Sequence, residues 1–473
     1  MGITDIADQI TRVIDDTQSG AKELFEPVLR VGVTGLSRAG KTVFITSMIA
    51  NLLDRSRMPG LKAAAEGRIV AAFLQPQPDD TIPRFAYEQH LAALNSPSPH
   101  WPESTSSISQ LRLSLRVRPK GLLRSVRGLK TLHIDIVDYP GEWLLDLPLL
   151  KQSYADWAEA ELEKAGTEAR ARLAEGWLAQ MQASDPSAKL DEPSAQALAA
   201  AYTGYLQAAR AAGFSDCAPG RFLLPGELKG SPALTFAPLP RPEKPRSGTL
   251  YRAFERRFEA YKKQIVKPFF RDHFAKIDRQ IVLVDALGAI HNGPPAVADL
   301  QAALSEVMTS FRPGKNHFLS LLTGKKVERI LFAATKADHI HHSQHAKLTG
   351  FLEAMLAGAK DAANWKGAQT KAMSLAALRA TVEQTVTHEG AALDLVRGTL
   401  LESGKEVALH PGDLPADPSR LLAPAQQGAQ EWPDDIDYHL PNFTPPKAGD
   451  VAPHGLAHIR LDQAAEFLLG DKL

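Results

Sequence analysis

The octapeptide Gly35-Leu-Ser-Arg-Ala-Gly-Lys-Thr42 constrains this chain more than any other stretch, because of what lies on either side of it. Before it, Val28-Leu-Arg-Val-Gly-Val-Thr34 is short, apolar and β-branched, which predicts a buried strand, and the residues from Lys41 onward predict a helix. A glycine-rich turn between a strand and a helix aims the backbone N–H groups of Ser37, Arg38, Ala39 and Gly40, together with the positive helix end, at one point. Phosphate is the ligand that such a point attracts. Lys41 adds a point charge beside the β and γ groups, and Thr42 offers a hydroxyl to Mg2+. The pattern therefore predicts an α/β chain with a phosphate loop.

Two further elements follow in chain order. Asp138-Tyr-Pro-Gly141 ends an apolar strand, so that Asp138 can hold Mg2+ and the Gly141 N–H can sense a γ-phosphate. Asp285-Ala-Leu-Gly288 is a rival of the same form. Asp138 is preferred because the metal aspartate should precede the base-reading motif by more than one strand, which leaves Ile281–Val284 between them. That motif is Thr335-Lys-Ala-Asp338, also at a strand end. The Asp338 carboxylate can accept hydrogen bonds from the N1–H and N2 amino group of guanine, which adenine cannot offer, while the Lys336 stem packs along the base. Ser374, Leu375 and Ala376 are candidates for the last base-contacting loop.

The rest of the chain reads as a frame for these motifs. Leu111–Arg118 alternates apolar and polar residues and predicts a half-buried strand, with Thr131–Val137 as its antiparallel partner. Residues 149–181 and 194–212 are rich in Ala, Glu, Leu and Gln, which predicts two long helices inside an insertion. A charged helix over 248–277 leads back to the sheet. The boundaries expected are an N-terminal helix at 1–27, a first α/β part at 28–148, the helical insertion at 149–277, a second α/β part at 278–385 and a loop-rich region at 386–473. Further expectations are a helix starting at Leu378 and a closing helix near 461–469. The 54 basic and 54 acidic residues cancel, so no global field draws the chain to nucleic acid or an anionic membrane. The lone Cys217 excludes an intrachain disulfide and a cysteine zinc cage and fits a cytoplasmic home. No run of 18 apolar residues occurs, so no membrane span is expected.

Taken together, Gly35–Thr42, Asp138-Tyr-Pro-Gly-Glu-Trp143 and Thr335-Lys-Ala-Asp-His339 resemble the YcjX-like family of stress-associated P-loop NTPases, and the likeness covers most of the chain. The resemblance implies a G-domain-like Rossmann fold with a helical insertion, GTP or GDP as bound nucleotide, and Mg2+. It also implies a link to stress response and to a membrane-embedded companion protein, which would put the chain at the inner membrane periphery. Slow GTP hydrolysis is the expected activity. The alternatives are an ATPase, a scaffold that binds nucleotide without turning it over, and a small-molecule kinase.

Several residues need two readings. Glu142 stands where many GTPases carry a water-orienting glutamine; its carboxylate either orients the attacking water or marks a helix start. The threonine expected to close over Mg2+ has no fixed motif, and Thr81 is chosen over Thr105. Arg38 and Arg84 could neutralise developing charge, although surface positions suit both. His339, His341, His342 and His345 could bind a transition metal, but no acidic residue joins them at ligand spacing, which favours a polar loop and helix start. Seven basic residues between Leu111 and Lys130 (Arg112, Arg116, Arg118, Lys120, Arg124, Arg127 and Lys130) suit a solvated sheet edge, with contact to anionic lipid or an acidic partner as the alternative. The run lacks interleaved aromatics, so nucleic acid is not expected.

Overall fold

β-branched and apolar runs form the strands, and their pairing fixes where the motifs meet. The computed structural model describes residues 26–35, 38–77, 79–103, 107–120, 128–310, 327–361, 368–388, 390–433, 438–447 and 455–473. The expected helix over 1–25, Ser37, Thr105, Arg124 and Arg127 lie outside the described residues. Strands β1 (Val28–Gly35), β2 (Ile69–Gln75), β3 (Ser109–Val117), β4 (Lys130–Asp138), β5 (Arg279–Val284), β6 (Arg329–Ala334) and β7 (Gln369–Ser374) form one sheet in the order β2-β3-β4-β1-β5-β6-β7. From β4 to β7 every neighbour is parallel, whereas β2, β3 and β4 pair antiparallel. The α/β architecture expected of the sequence is present.

Parallel strands need both faces covered, and the pleat divides their side chains between two cores. On one face Val31, Val33, Ile281, Leu283 and Leu331 pack against Phe44, Ile45 and Met48 of helix α1 (Lys41–Asp54). Leu461, Leu468 and Leu469 of the C-terminal helix join the same cluster, so the closing helix expected near 461–469 is part of the sheet's own core. Asp471 just beyond it pairs with Arg279 at 2.7 Å and Arg329 at 3.2 Å, pinning the N-terminal ends of β5 and β6. On the other face Val282, Val284, Phe332 and Ala334 are continuous with the interior of the insertion.

That interior is aromatic. Helices α2 (Tyr154–Ala165), α3 (Glu168–Gln182), α4 (Glu192–Ala211) and α5 (Leu250–Tyr261) surround Trp157, stacked on Phe258 with ring centroids 5.0 Å apart, and Trp177, stacked on Tyr205 at 5.2 Å. The single helix expected over 149–181 is instead one 3-10 turn (Pro148–Lys151) followed by α2 and α3. Gly166 ends α2 and Thr167 starts α3, and Ser153 with Asp156 forms a capping box that sets the start of α2. Backbone capping, invisible in a smooth Ala/Glu/Leu composition, decides the break.

Three expectations are corrected. The helix expected from Leu378 is a strand: β8 (Val382–His388) pairs with β9 (Ala391–Thr399), and β9 with β10 (Glu406–Leu409), in an antiparallel sheet. Val382, Thr385, Val386 and Thr387 are β-branched, and that preference outweighs the weak helical pattern. The region after 386 is thus less loop-rich than its prolines suggest. Second, β3 is not an edge, because β2 covers it, and of the basic residues assigned to a solvated face Arg116, Arg118, Lys120 and Lys130 are exposed whereas Arg112 is not. Arg112 is buried and grips Asp135 with Nε–Oδ1 at 2.6 Å and Nη2–Oδ2 at 3.0 Å, while Ser114 meets His133 at 2.7 Å. Third, the histidines do have acidic partners: Glu383 and Asp394, distant in sequence, reach His341 and His342. Among the described residues no helix is long and apolar enough to cross a membrane.

Candidate functional site

β1 and β4 are adjacent and parallel, with Val33 opposite Asp138, so the phosphate loop and the Asp138 element leave the sheet side by side at its C-terminal edge. Open α/β sheets bind ligands at that edge. Gly40 opens α1 with φ of 73°, a left-handed backbone that favours glycine, and its carbonyl accepts the Phe44 N–H at 2.9 Å. Arg38 is also left-handed, with φ of 61°. Ala39 and Thr42 are buried, and Arg38 is exposed.

Lys41 turns into the fold, with Nζ 2.6 Å from Asp138 Oδ1; the two side chains are 11% and 1% exposed. A carboxylate this buried needs a cation, and the loop lysine supplies it. The rival Asp285 does other work: it caps the helix Ala286–His291 by accepting the Gly288 N–H at 3.0 Å, and it pairs with Lys336. Of the two aspartates, Asp138 is the one in contact with the phosphate-loop lysine.

The segment after Asp138 is not a free loop. Gly141–Asp146 forms a 3-10 turn in which every residue is buried. Glu142 Oε1 lies 2.8 Å from Arg210 Nη2 at the end of α4. Trp143 donates its indole N–H to the Leu224 carbonyl at 3.2 Å and lies under the Arg221 guanidinium. A Cβ on Gly220 would come within 2.0 Å of the Glu142 carbonyl oxygen, so only glycine allows this approach. No sequence signal marked Arg210: it is one more arginine near a helix end, in an alanine-rich stretch.

Asp146 closes the segment. It accepts the Gly220 N–H at 2.7 Å and the Tyr261 hydroxyl at 2.6 Å, and burial pushes its carboxyl up from 3.8 to about 7. The fold therefore favours the neutral acid. The associated stability is fully present below the unfolded value and is lost as pH rises through about 7, by about 4 kcal/mol at most. Asp146→Asn keeps an acceptor for Gly220 and stays neutral. Its stability relative to wild type should rise between about pH 4 and about pH 7 in paired urea melts, and an equal pH response in both proteins would place the titration elsewhere.

At the other end of the sheet edge Thr335 leaves β6 buried, Lys336 is left-handed with φ of 60°, and Asp338 is buried. Asp338 Oδ2 accepts the Ala380 N–H at 2.8 Å, and its carbonyl accepts the Thr381 hydroxyl. His339, which burial holds below its usual pKa, meets Phe443 edge to face at 5.0 Å. His345 donates Nε2–H to the Ala337 carbonyl at 2.8 Å and accepts Arg460 on Nδ1 at 3.0 Å. Arg460 also donates to the Ser374 carbonyl at 2.8 Å and hydroxyl at 2.6 Å.

The candidate base loop is thereby locked from behind. The Ser374 N–H donates to Thr349, the Leu375 N–H to Ala334, and the Ala376 N–H to Ile459. Thr81, by contrast, is exposed, and its hydroxyl donates to Asp79 at 2.5 Å. Its loop still hangs at the Asp138 end of the sheet. The Pro83 carbonyl accepts the Gln110 N–H at 3.0 Å, and Ser109 pairs with Asp138. Arg84 is a surface residue held bidentate by Glu88 at 2.6 and 2.7 Å. A cavity of about 370 Å3 is lined by Arg38, Arg210, Asp285, Lys336, His339 and Glu402.

Comparison with known proteins agrees with this frame. The profile of the YcjX-like family, DUF463, matches residues 29–473. A protein of Escherichia coli (strain K12) named Ras-like GTPase YcjX is 38% identical over 457 residues, covering 94% of this chain and 96% of its own. One of the same name from Shewanella oneidensis (strain MR-1) is 36% identical over 499 residues, covering 100% of both chains.

Proposed function

The chain belongs to the YcjX-like family, and from that premise we propose that it binds guanine nucleotide and hydrolyses GTP slowly. The observation that carries the proposal is the contact of Lys41 with Asp138 at the C-terminal edge of the sheet. It joins the phosphate loop to the aspartate expected to hold a cation. The relatives' names, Ras-like GTPase, support the same activity.

In this reading the backbone N–H groups of Ser37, Arg38, Ala39 and Gly40 receive the phosphates, and Lys41 leaves Asp138 for the β and γ oxygens. Thr42 and Asp138 are the donors for Mg2+; a hydroxyl and a carboxylate are the hard oxygen ligands that this ion takes, and Lys41 now supplies the positive charge at Asp138. Bound there, Mg2+ would neutralise phosphate charge. Gly141 offers its N–H to the γ-phosphate. Thr335, Lys336 and Asp338 read the base, and Ser374, Leu375 and Ala376, with their own N–H groups committed within the fold, serve as a rigid wall. Thr81 closes from the loop tethered to β3 through Pro83 and Gln110.

Glu142 orients the attacking water, and its ion pair with Arg210 accounts for slow turnover. Glu142→Gln should lower single-turnover GTP hydrolysis by about 100-fold while nucleotide affinity stays within about twofold. Arg210→Ala should raise the rate several-fold. Unchanged rates in both variants would remove Glu142 from catalysis, and a wild-type rate no higher than that in buffer would favour the nucleotide-stabilised scaffold. An ATPase remains the second reading because Glu142 is a carboxylate, and base competition separates the two. Loss of the γ-phosphate would release Gly141 and be felt by the insertion through Glu142 and Asp146, which makes the protein a switch. The stress-related role and the membrane-embedded companion rest on the family resemblance, and the cytoplasmic home on the lone Cys217.

A further inference from the structure

His341, His342 and Glu383 come together outside the nucleotide site. His342 Nδ1 lies 2.7 Å from Glu383 Oε2, and His341 Nε2 lies 3.9 Å from the same oxygen. One ligand atom from each residue falls within 4.8 Å of the others. Donors about 2.1 Å from a tetrahedral ion stand about 3.4 Å apart, so the observed separations bracket that geometry. His342 starts the short 3-10 turn His342–Gln344 and His341 caps it, while the carboxylate is held on β8, so two separate segments supply the set.

The groups behind these donors are those of a metal centre. Asp394 Oδ2 lies 3.0 Å from His341 Nδ1 and the Ser343 N–H points at the same nitrogen from 3.4 Å; an ion on Nε2 selects the tautomer whose Nδ1–H is donated to Asp394. Ser343 Oγ also lies 2.9 Å from that Nδ1. Asp394 is itself fixed, accepting the Thr385 hydroxyl at 3.0 Å and the Ser343 hydroxyl at 3.1 Å. A carboxylate on the far nitrogen of a ligating imidazole orients the ring and raises its basicity. Arg379 takes the other Glu383 oxygen, Oε1, at 3.2 Å, which leaves Oε2 to the histidines. His341 is 7% and Glu383 20% exposed, whereas His342 is 67% exposed, which gives an ion a route in.

We propose that His341 Nε2, His342 Nδ1 and Glu383 Oε2 bind one divalent transition metal ion, with Zn2+ the best match, and that Asp394 positions His341. Two imidazoles and one carboxylate suit Zn2+ better than Mg2+ or Ca2+, which take all-oxygen sets. The ion takes the Nδ1 lone pair of His342, so the hydrogen that lies between Nδ1 and Glu383 Oε2 in the metal-free pair moves to Nε2 or to solvent, and the ligating ring carries its N–H on Nε2. Binding weakens as pH falls, because protons compete for the same donors. The ion staples β8 to the segment that follows Asp338.

The test is Zn2+ titration of the tag-free, EDTA-dialysed full chain by calorimetry, with metal content measured after equilibrium dialysis. One Zn2+ per chain is expected, with an excess of Mg2+ failing to displace it. His342→Ala and Glu383→Gln should each weaken binding about 100-fold, and Asp394→Asn about 10- to 100-fold. All three side chains lie at least partly at the surface, and circular dichroism with melting in EDTA verifies the fold of each variant. Absence of stoichiometric Zn2+ in the wild type, or binding that survives both His342→Ala and Glu383→Gln, overturns the assignment.

Discussion

Asp338→Asn is expected to abolish guanine preference and to create preference for xanthine. The carboxylate lies at the end of β6 with Oδ2 bonded to the Ala380 N–H, so its orientation is set by the fold before any base arrives. Two hydrogen bonds from a guanine to a charged acceptor contribute about 3 kcal/mol or more, and their loss should lower GDP affinity at least about 100-fold. Asparagine keeps an acceptor oxygen for Ala380 and turns an N–H toward the base. That N–H suits a base with a carbonyl at position 2, so xanthosine diphosphate should gain where GDP loses. Equilibrium competition of GDP, xanthosine diphosphate and ADP against a fluorescent guanine nucleotide, on both proteins, reads the exchange. Equal affinity of the wild type for GDP and ADP would overturn the guanine reading and bring the ATPase forward. Loss of all binding without a xanthine gain would instead point to a damaged fold.

The second large effect is expected of Lys41→Ala, and it has two parts. Triphosphate binding should be lost, because the point charge at the β and γ groups is gone. The nucleotide-free protein should also lose about 3 kcal/mol or more, because Asp138, 1% exposed, loses the cation 2.6 Å from it. The double variant Lys41→Ala with Asp138→Asn separates the two: removing the buried charge should restore most of the stability and none of the binding. Urea melts without nucleotide measure the first part, and competition binding the second. If Lys41→Ala were as stable as the wild type, the ion pair would carry no weight in the empty site.

Both predictions use residues that are legible in the sequence, and the reason is local. Gly35–Thr42, Asp138–Gly141 and Thr335–Asp338 each join a strand end to a turn, and the chemistry proposed for each uses its own backbone and side chains. The apolar runs of β1, β5 and β6 announce a sheet buried on both faces for the same reason: the pattern needs only a few neighbouring residues to be visible. Thr81 is the weak case. Its loop is tethered near Asp138 through Gln110, yet its hydroxyl is bonded to Asp79, and nothing in Thr81-Ile-Pro83 says which.

What escaped depends on partners far along the chain. Arg112 on an alternating strand looks solvated until Asp135 is placed opposite it in the β3–β4 register. Glu142 looks free to face water until α4 brings Arg210 against it across an intervening stretch of insertion. The histidines after Asp338 lack acidic neighbours in sequence, and gain Glu383 and Asp394 because β-branched residues in β8 form a strand where a helix is expected. The sequence by itself determined the α/β class and the strand-turn-helix setting of Gly35–Thr42, since spacing within a turn and periodicity within a strand are short-range properties. Only the tertiary structure decided which charges are neutralised, which N–H groups are already committed and which elements bury the segment after Asp138, because those follow from the packing of residues that the chain itself keeps far apart.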